Sequence, residues 1–118
     1  MTVKRRDNHS TEFGLWLREQ PEIDSNLGYL ATNIDYVWYN YKTKKWMFIE
    51  EKRYGYKPKS WQRSIFKLIH QSIKSLTYCG FHLLVFENSN PDDGKIWLDN
   101  KEITKEDLIT FLKDFNKP

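Results

Sequence analysis

The chain has 118 residues, enough for one domain with a core of its own. Charged residues make up 30% and aromatics 16%, which predicts a well-solvated surface around a ring-rich core; the net charge of +3 permits nucleic-acid binding without arguing for it. A lone cysteine, Cys79, excludes an internal disulfide and suits a reducing, cytoplasmic (intracellular) setting, while the lack of a long apolar run argues against a signal peptide, a membrane span or a membrane partner. No repeat and no Walker-type phosphate loop occurs.

Residues 1–10 read as a flexible basic arm and 11–118 as a single domain. Ser10 or Thr11 offers an N-cap for a helix that places Phe13, Trp16 and Leu17 on one face and stops at Pro21. Glu12 is an acidic first-turn residue of the kind the helix dipole favours. A polar loop over Gln20–Asn26 then leads to a short first strand over Leu27–Ala31.

The segment Asn33–Lys52, NIDYVWYNYKTKKWMFIEEK, predicts two antiparallel strands, 34–41 and 46–52, around a four-residue turn at Lys42–Lys45. Pairing Tyr41 with Trp46 sets Asp35 opposite Lys52 and diagonal to Glu50, so all three emerge on one sheet face with Val37, Tyr39 and Phe48. Two carboxylates and a lysine at that spacing suit a hard divalent cation with a cationic assistant, and a carbonyl near Glu51 could add an oxygen. A cross-strand ion pair on a solvated face is the plainer alternative. At the hairpin tip, Lys42, Lys44 and Lys45 beside Tyr39, Tyr41 and Trp46 form either a backbone clamp for nucleic acid or a solvated turn.

Arg53–Lys59 follows as a loop carrying Arg53, Lys57 and Lys59, further candidates for phosphate contact. Ser60 is expected to cap a helix to about Tyr78 with Trp61, Ile65, Phe66, Leu68, Ile69, Ile73 and Leu76 inward and Gln62 inside the same apolar arc. Gly80 is expected to end that helix, and Phe81–Phe86 to form a buried strand. Asn88–Gly94 reads as a turn in which Asp92 and Asp93 are turn residues. Lys95–Leu98 predicts a short strand and Asp99–Lys101 a turn. Thr104 caps a last helix to about Phe115, with Leu108, Ile109, Leu112 and Phe115 inward.

Ile34-Asp35, then Phe48-Ile49-Glu50-Glu51-Lys52, in this order of elements resembles the PD-(D/E)XK nuclease superfamily across about Glu12–Phe86. Ile34 stands where the family name has Pro, and Glu51 is charged where an apolar residue is more usual, which bears on burial of the far sheet face. The resemblance implies an α/β fold with an αβββαβ restriction-endonuclease-like core, a central mixed β-sheet flanked by helices, to which the chain adds a C-terminal strand, turn and helix. It implies a phosphodiester hydrolase dependent on Mg²⁺ or Mn²⁺, with Asp35, Glu50 and Lys52 catalytic, Glu12 joining the metal ligands Asp35 and Glu50, and Gln62 turned toward the same site.

With no room for a separate sequence-reading domain, structure- or end-dependent cleavage is expected, of DNA ahead of RNA, by the chain alone, as a homodimer or in a larger complex. The alternative is a non-catalytic module on the same fold that holds nucleic acid or protein.

Overall fold

A computed structural model describes residues 12–118, so the expected basic arm and the Ser10 or Thr11 cap lie outside the described residues. The chain divides into two compact units, Met1–Asn33 and Ile34–Pro118. In the first unit, α1 spans Glu12–Arg18, where Phe13 and Trp16 stack at 6.0 Å between ring centroids. Two 3-10 turns follow, Pro21–Ile23 and Ser25–Leu27. The strand expected over Leu27–Ala31 is not formed. The Asp24 carboxylate instead accepts the Asn26 N–H, and Gly28, at φ +96°, closes the second turn by donating to the Ser25 carbonyl. With the local backbone bonded to itself, the short apolar run has no strand partner.

The second unit is α/β, with an open, mixed five-stranded sheet in chain order: β1 Tyr36–Tyr39, β2 Trp46–Lys52, β3 Tyr78–Phe86, β4 Ile96–Leu98 and β5 Lys101–Ile103. β2 and β3 are parallel, joined through α2 (Ser60–Ser72); the other neighbours are antiparallel. α3 (Lys105–Asp114) completes the set, and no helix among the described residues is long and apolar enough to cross a membrane.

Alternation along β2 sends Met47 and Ile49 to one face and Phe48, Glu50 and Lys52 to the other. The first face, far from having its burial weakened by Glu51, carries the main core: Met47, Ile49, Leu84, Phe86, Ile96 and Leu98 close against α3. Glu51 sits at the rim of this face, where its carboxylate pairs with Arg53 at 2.8 Å and accepts the Tyr36 hydroxyl at 3.2 Å. On α3 the inward stripe is Leu108, Phe111 and the half-buried Leu112, continued by Phe115 at the C-cap. Ile109, expected inward, is 54% exposed, and Phe111 takes its place. The Thr104 hydroxyl and Asp107 carboxylate cap this helix reciprocally.

The opposite face carries an aromatic cluster under α2, in which Phe66 stacks on Phe81 at 4.5 Å and Phe48 contacts Phe81 at 5.2 Å. α2 is shorter than its pattern suggests: it stops at Ser72, leaving Leu76 fully exposed in the connector, and Leu68 and Trp61 also face solvent. β3 starts at Tyr78 because Tyr78 pairs with Trp46. Gly80 is therefore inside the strand, not at a helix end. It marks a bulge, since Trp46 and Phe48 pair with Tyr78 and Phe81, one residue more on β3. Its φ is +111°, and a Cβ there would lie 2.8 Å from His82 Nε2.

β5 was not anticipated, because three residues of sequence Lys-Glu-Ile carry little strand signal. It follows from the turn: Asp99 and Asn100 have φ of 49° and 71°, the type I′ pattern that folds β4 tightly onto β5. Asp99 also ties this hairpin to β3, accepting from the Leu83 N–H and His82 Nδ1 at 2.8 Å each, with Lys117 at 3.4 Å. Burial alone would push its pKa up, but these hydrogen bonds and charges hold it below the usual carboxylate range. Asp99→Ala would leave the Leu83 amide and Nδ1 of the buried His82 without their acceptor. We expect a loss of roughly 2–4 kcal/mol in urea unfolding, with Asp99→Asn costing less because it keeps an acceptor and tolerates the left-handed conformation. An Asp99→Ala loss below about 0.5 kcal/mol would show that the tie does not hold the hairpin.

Candidate active site

Asp35, Glu50, Lys52 and Gln62 gather at the C-terminal end of β2. The hairpin register sets this up. Tyr36 pairs with Ile49 and Tyr39 with Trp46, so one further step places Asp35 opposite Glu50, not Lys52. The difference from the expected pairing is two residues, and its cause is Asn40. The Asn40 side chain accepts the N–H groups of Lys42 and Thr43, and its backbone N–H donates to the Lys45 carbonyl. The turn is thus Tyr41–Lys44, one position earlier than Lys42–Lys45, with Lys44 at φ +66°. A shift of two keeps every side chain on its expected face.

Asp35 lies one residue before β1 and is exposed, with its Oδ2 accepting the Glu51 N–H at 2.8 Å. Glu50 is buried, 2% exposed, beside it. Lys52 Nζ stands 3.7 Å from Glu50 Oε2 and donates to Gln62 Oε1 at 3.4 Å. The same Gln62 oxygen accepts the Lys59 N–H at 3.1 Å. Lys59, not Ser60, is therefore the N-cap residue of α2, and Gln62 satisfies its backbone while fixing the lysine head.

Electrostatically the site is unbalanced. Burial pushes the Glu50 pKa up to about 7, aided by hydrogen bonding to Asp35 and its negative charge, with Lys52 pulling the other way. Glu50 Oε1 is buried, and no donor among the described residues reaches it. An ionised carboxylate oxygen held this way is costly unless a cation or proton completes it.

Of the other expected residues, Glu12 opens α1 in the first unit and is exposed. Among the described residues no three His, Cys, Asp or Glu side chains gather as metal ligands. Lys42, Lys44 and Lys45 are exposed at the far end of β2, roughly 15–20 Å of strand away from Glu50. Trp46 there packs on Tyr78 at 4.9 Å and is not a free stacking surface. Arg53 is engaged by Glu51, while Lys57 and Lys59 are exposed in the loop that leads from Lys52 to α2. Asp93 accepts from Ser89 and Asn90, as a turn residue does, and Asp92 pairs with Lys105 at 3.0 Å.

Sequence reasoning passed over Arg63 and Lys67, one helical turn apart on α2, which stand beside Glu50 at the rim of a groove. Their i, i+4 spacing was visible, but nothing in the sequence told that this stripe borders the carboxylates. Comparisons of the chain with family models, with curated proteins and with solved structures return no match.

Proposed function

We propose that this protein is a metal-dependent nuclease of the PD-(D/E)XK type, an endonuclease-like hydrolase of phosphodiester bonds, acting on DNA ahead of RNA in the cytoplasm. The observation that carries the reading is Glu50: a buried carboxylate with one oxygen lacking a donor, beside Asp35 and 3.7 Å from an ammonium. Two carboxylates fit Mg²⁺ or Mn²⁺, which take one or two protein oxygens and fill the remaining positions with water and substrate phosphate. A parallel pair, β2 and β3, connected by a helix whose start carries Gln62 supports the same restriction-endonuclease-like reading.

In this reading Asp35 and Glu50 hold the cation. When bound, it supplies polarisation of the phosphate and a more acidic water. The Lys52 ammonium, held by Gln62 and by the charge of Glu50, faces the phosphorus oxygens and offsets the negative charge that grows on them. Water oxygen bonds to phosphorus as the P–O bond breaks, leaving a phosphate monoester on one product and a hydroxyl on the other. Glu12, Lys57 and Lys59 remain candidates for supporting roles.

The test is a cleavage assay on single-stranded, duplex and branched DNA and on RNA. Cutting of at least one substrate is expected with Mg²⁺ or Mn²⁺ and none in EDTA. Binding without cleavage under either metal would replace the enzyme by a nucleic-acid-holding module.

A further inference from the structure

Beside Glu50 runs a groove of about 290 Å³ between α2 and β3. Its floor is apolar and partly aromatic, made by Phe66, Phe81 and Leu83, and its rim carries Arg63, Lys67 and His70 at i, i+4, i+7 on α2. Arg63 and Lys67 are exposed and have no acidic partner among the described residues. The acid on the opposite wall, Asp99, is occupied by His82, Lys117 and the Leu83 amide. The groove thus offers free positive charge above an apolar lining, with the candidate active-site carboxylate at its side.

We infer that this groove takes one unpaired nucleotide of the substrate strand next to the scissile phosphate, its base against the apolar lining of Phe66, Phe81 and Leu83 and its phosphate on Arg63 and Lys67. The inference rests on the nuclease reading for its position relative to the cut, but on the groove's own chemistry for binding. A volume of about 290 Å³ is near the lower limit of small-ligand pockets, which suits one nucleotide. A duplex is too wide to enter, and its paired bases are not free to leave the stack for the groove. Phosphate charge matches the rim, and the apolar surface of a base matches the groove lining. The predicted preference is therefore for single-stranded segments, including flaps and frayed ends.

The test uses the full chain in EDTA, so that nothing is cut. Fluorescence anisotropy follows binding of a labelled single-stranded oligothymidylate across a salt series, with unlabelled duplex as competitor. Arg63→Gln/Lys67→Gln is compared with Lys95→Gln/Lys113→Gln, which removes equal charge elsewhere. We expect the groove variant to bind roughly tenfold more weakly and its salt slope to fall by about 1.4, the value for two phosphate contacts on a single strand. The control should change little, and duplex should compete poorly. Equal weakening in both variants, an unchanged slope, or duplex competing as well as single strand would overturn the groove assignment. Metal-loaded cleavage by the same proteins separates the two readings. Groove-dependent binding by a wild-type protein that never cuts would retain this site and remove the nuclease, while cleavage indifferent to Arg63 and Lys67 would do the reverse.

Discussion

Replacing Lys52 by alanine is expected to lower single-turnover cleavage by roughly 10²–10³-fold, the usual cost of removing one positioned donor from a developing charge. Metal binding should be largely retained. The ammonium lies 3.7 Å from Glu50 and is steered by Gln62, so it is placed to act on charge that appears only as the phosphorus becomes pentacoordinate. Lys52 also pulls the Glu50 pKa down, so its loss makes Glu50 harder to ionise. The variants should therefore be compared at pH 8 or above, where this secondary effect fades. Asp35→Ala should lose both turnover and metal binding, since Asp35 is the exposed carboxylate opposite Glu50 and the second ligand in the proposed reading. Gln62→Ala should fall between wild type and Lys52→Ala, because it removes the brace and leaves the charge. Wild-type rates in Lys52→Ala would exclude the role assigned to this lysine.

Glu50→Gln carries the second large effect, with opposite signs for activity and stability. The folded-state pKa of Glu50 is about 7 against an ordinary 4.5. The folded protein therefore keeps a proton that the unfolded chain has released between those values. Without metal, the contribution of Glu50 to stability is greatest below pH 4.5 and declines as pH rises to 7, by on the order of 3 kcal/mol. Glutamine removes that titration. Glu50→Gln should be more stable than wild type at pH 8 by about this amount, show a flatter profile from pH 4.5 to 7, and cut nothing. Excess Mg²⁺ should flatten the wild-type profile by binding the ionised form, and leave Glu50→Gln unaffected. Urea midpoints across pH would check this; identical wild-type and Glu50→Gln profiles would mean that Glu50 is not a strained acid. A destabilising carboxylate kept in a buried position is the trade expected of a functional site.

Much of the site was legible because it depends on parity. Any even-length turn between Tyr39 and Trp46 sends Asp35, Glu50 and Lys52 to one face, so an error of two residues in register did no harm. The error itself arose because the Asn40 side chain, not the lysine cluster, organises the turn. Gln62 was legible as a polar residue inside an apolar helical arc, and it does reach Lys52. His82 was not: its partners, Asp99 and the Cys79 carbonyl, come from the turn after the next strand and from a bulge. Gly80 misled for a related reason, since a glycine that ends helices equally well allows the bulge that makes room for His82. The Leu27–Ala31 strand failed because local apolar content supplies no pairing partner, whereas β5, with almost no local signal, was formed by the Asp99–Asn100 turn.

A crystal soaked in Mn²⁺ should show an anomalous peak between the carboxylates of Asp35 and Glu50, with Glu50 Oε1 among its neighbours, if the two residues share a divalent-metal site. An ordered site without such a peak, the two carboxyl groups instead sharing a proton in a direct hydrogen bond at pH 8, would contradict it.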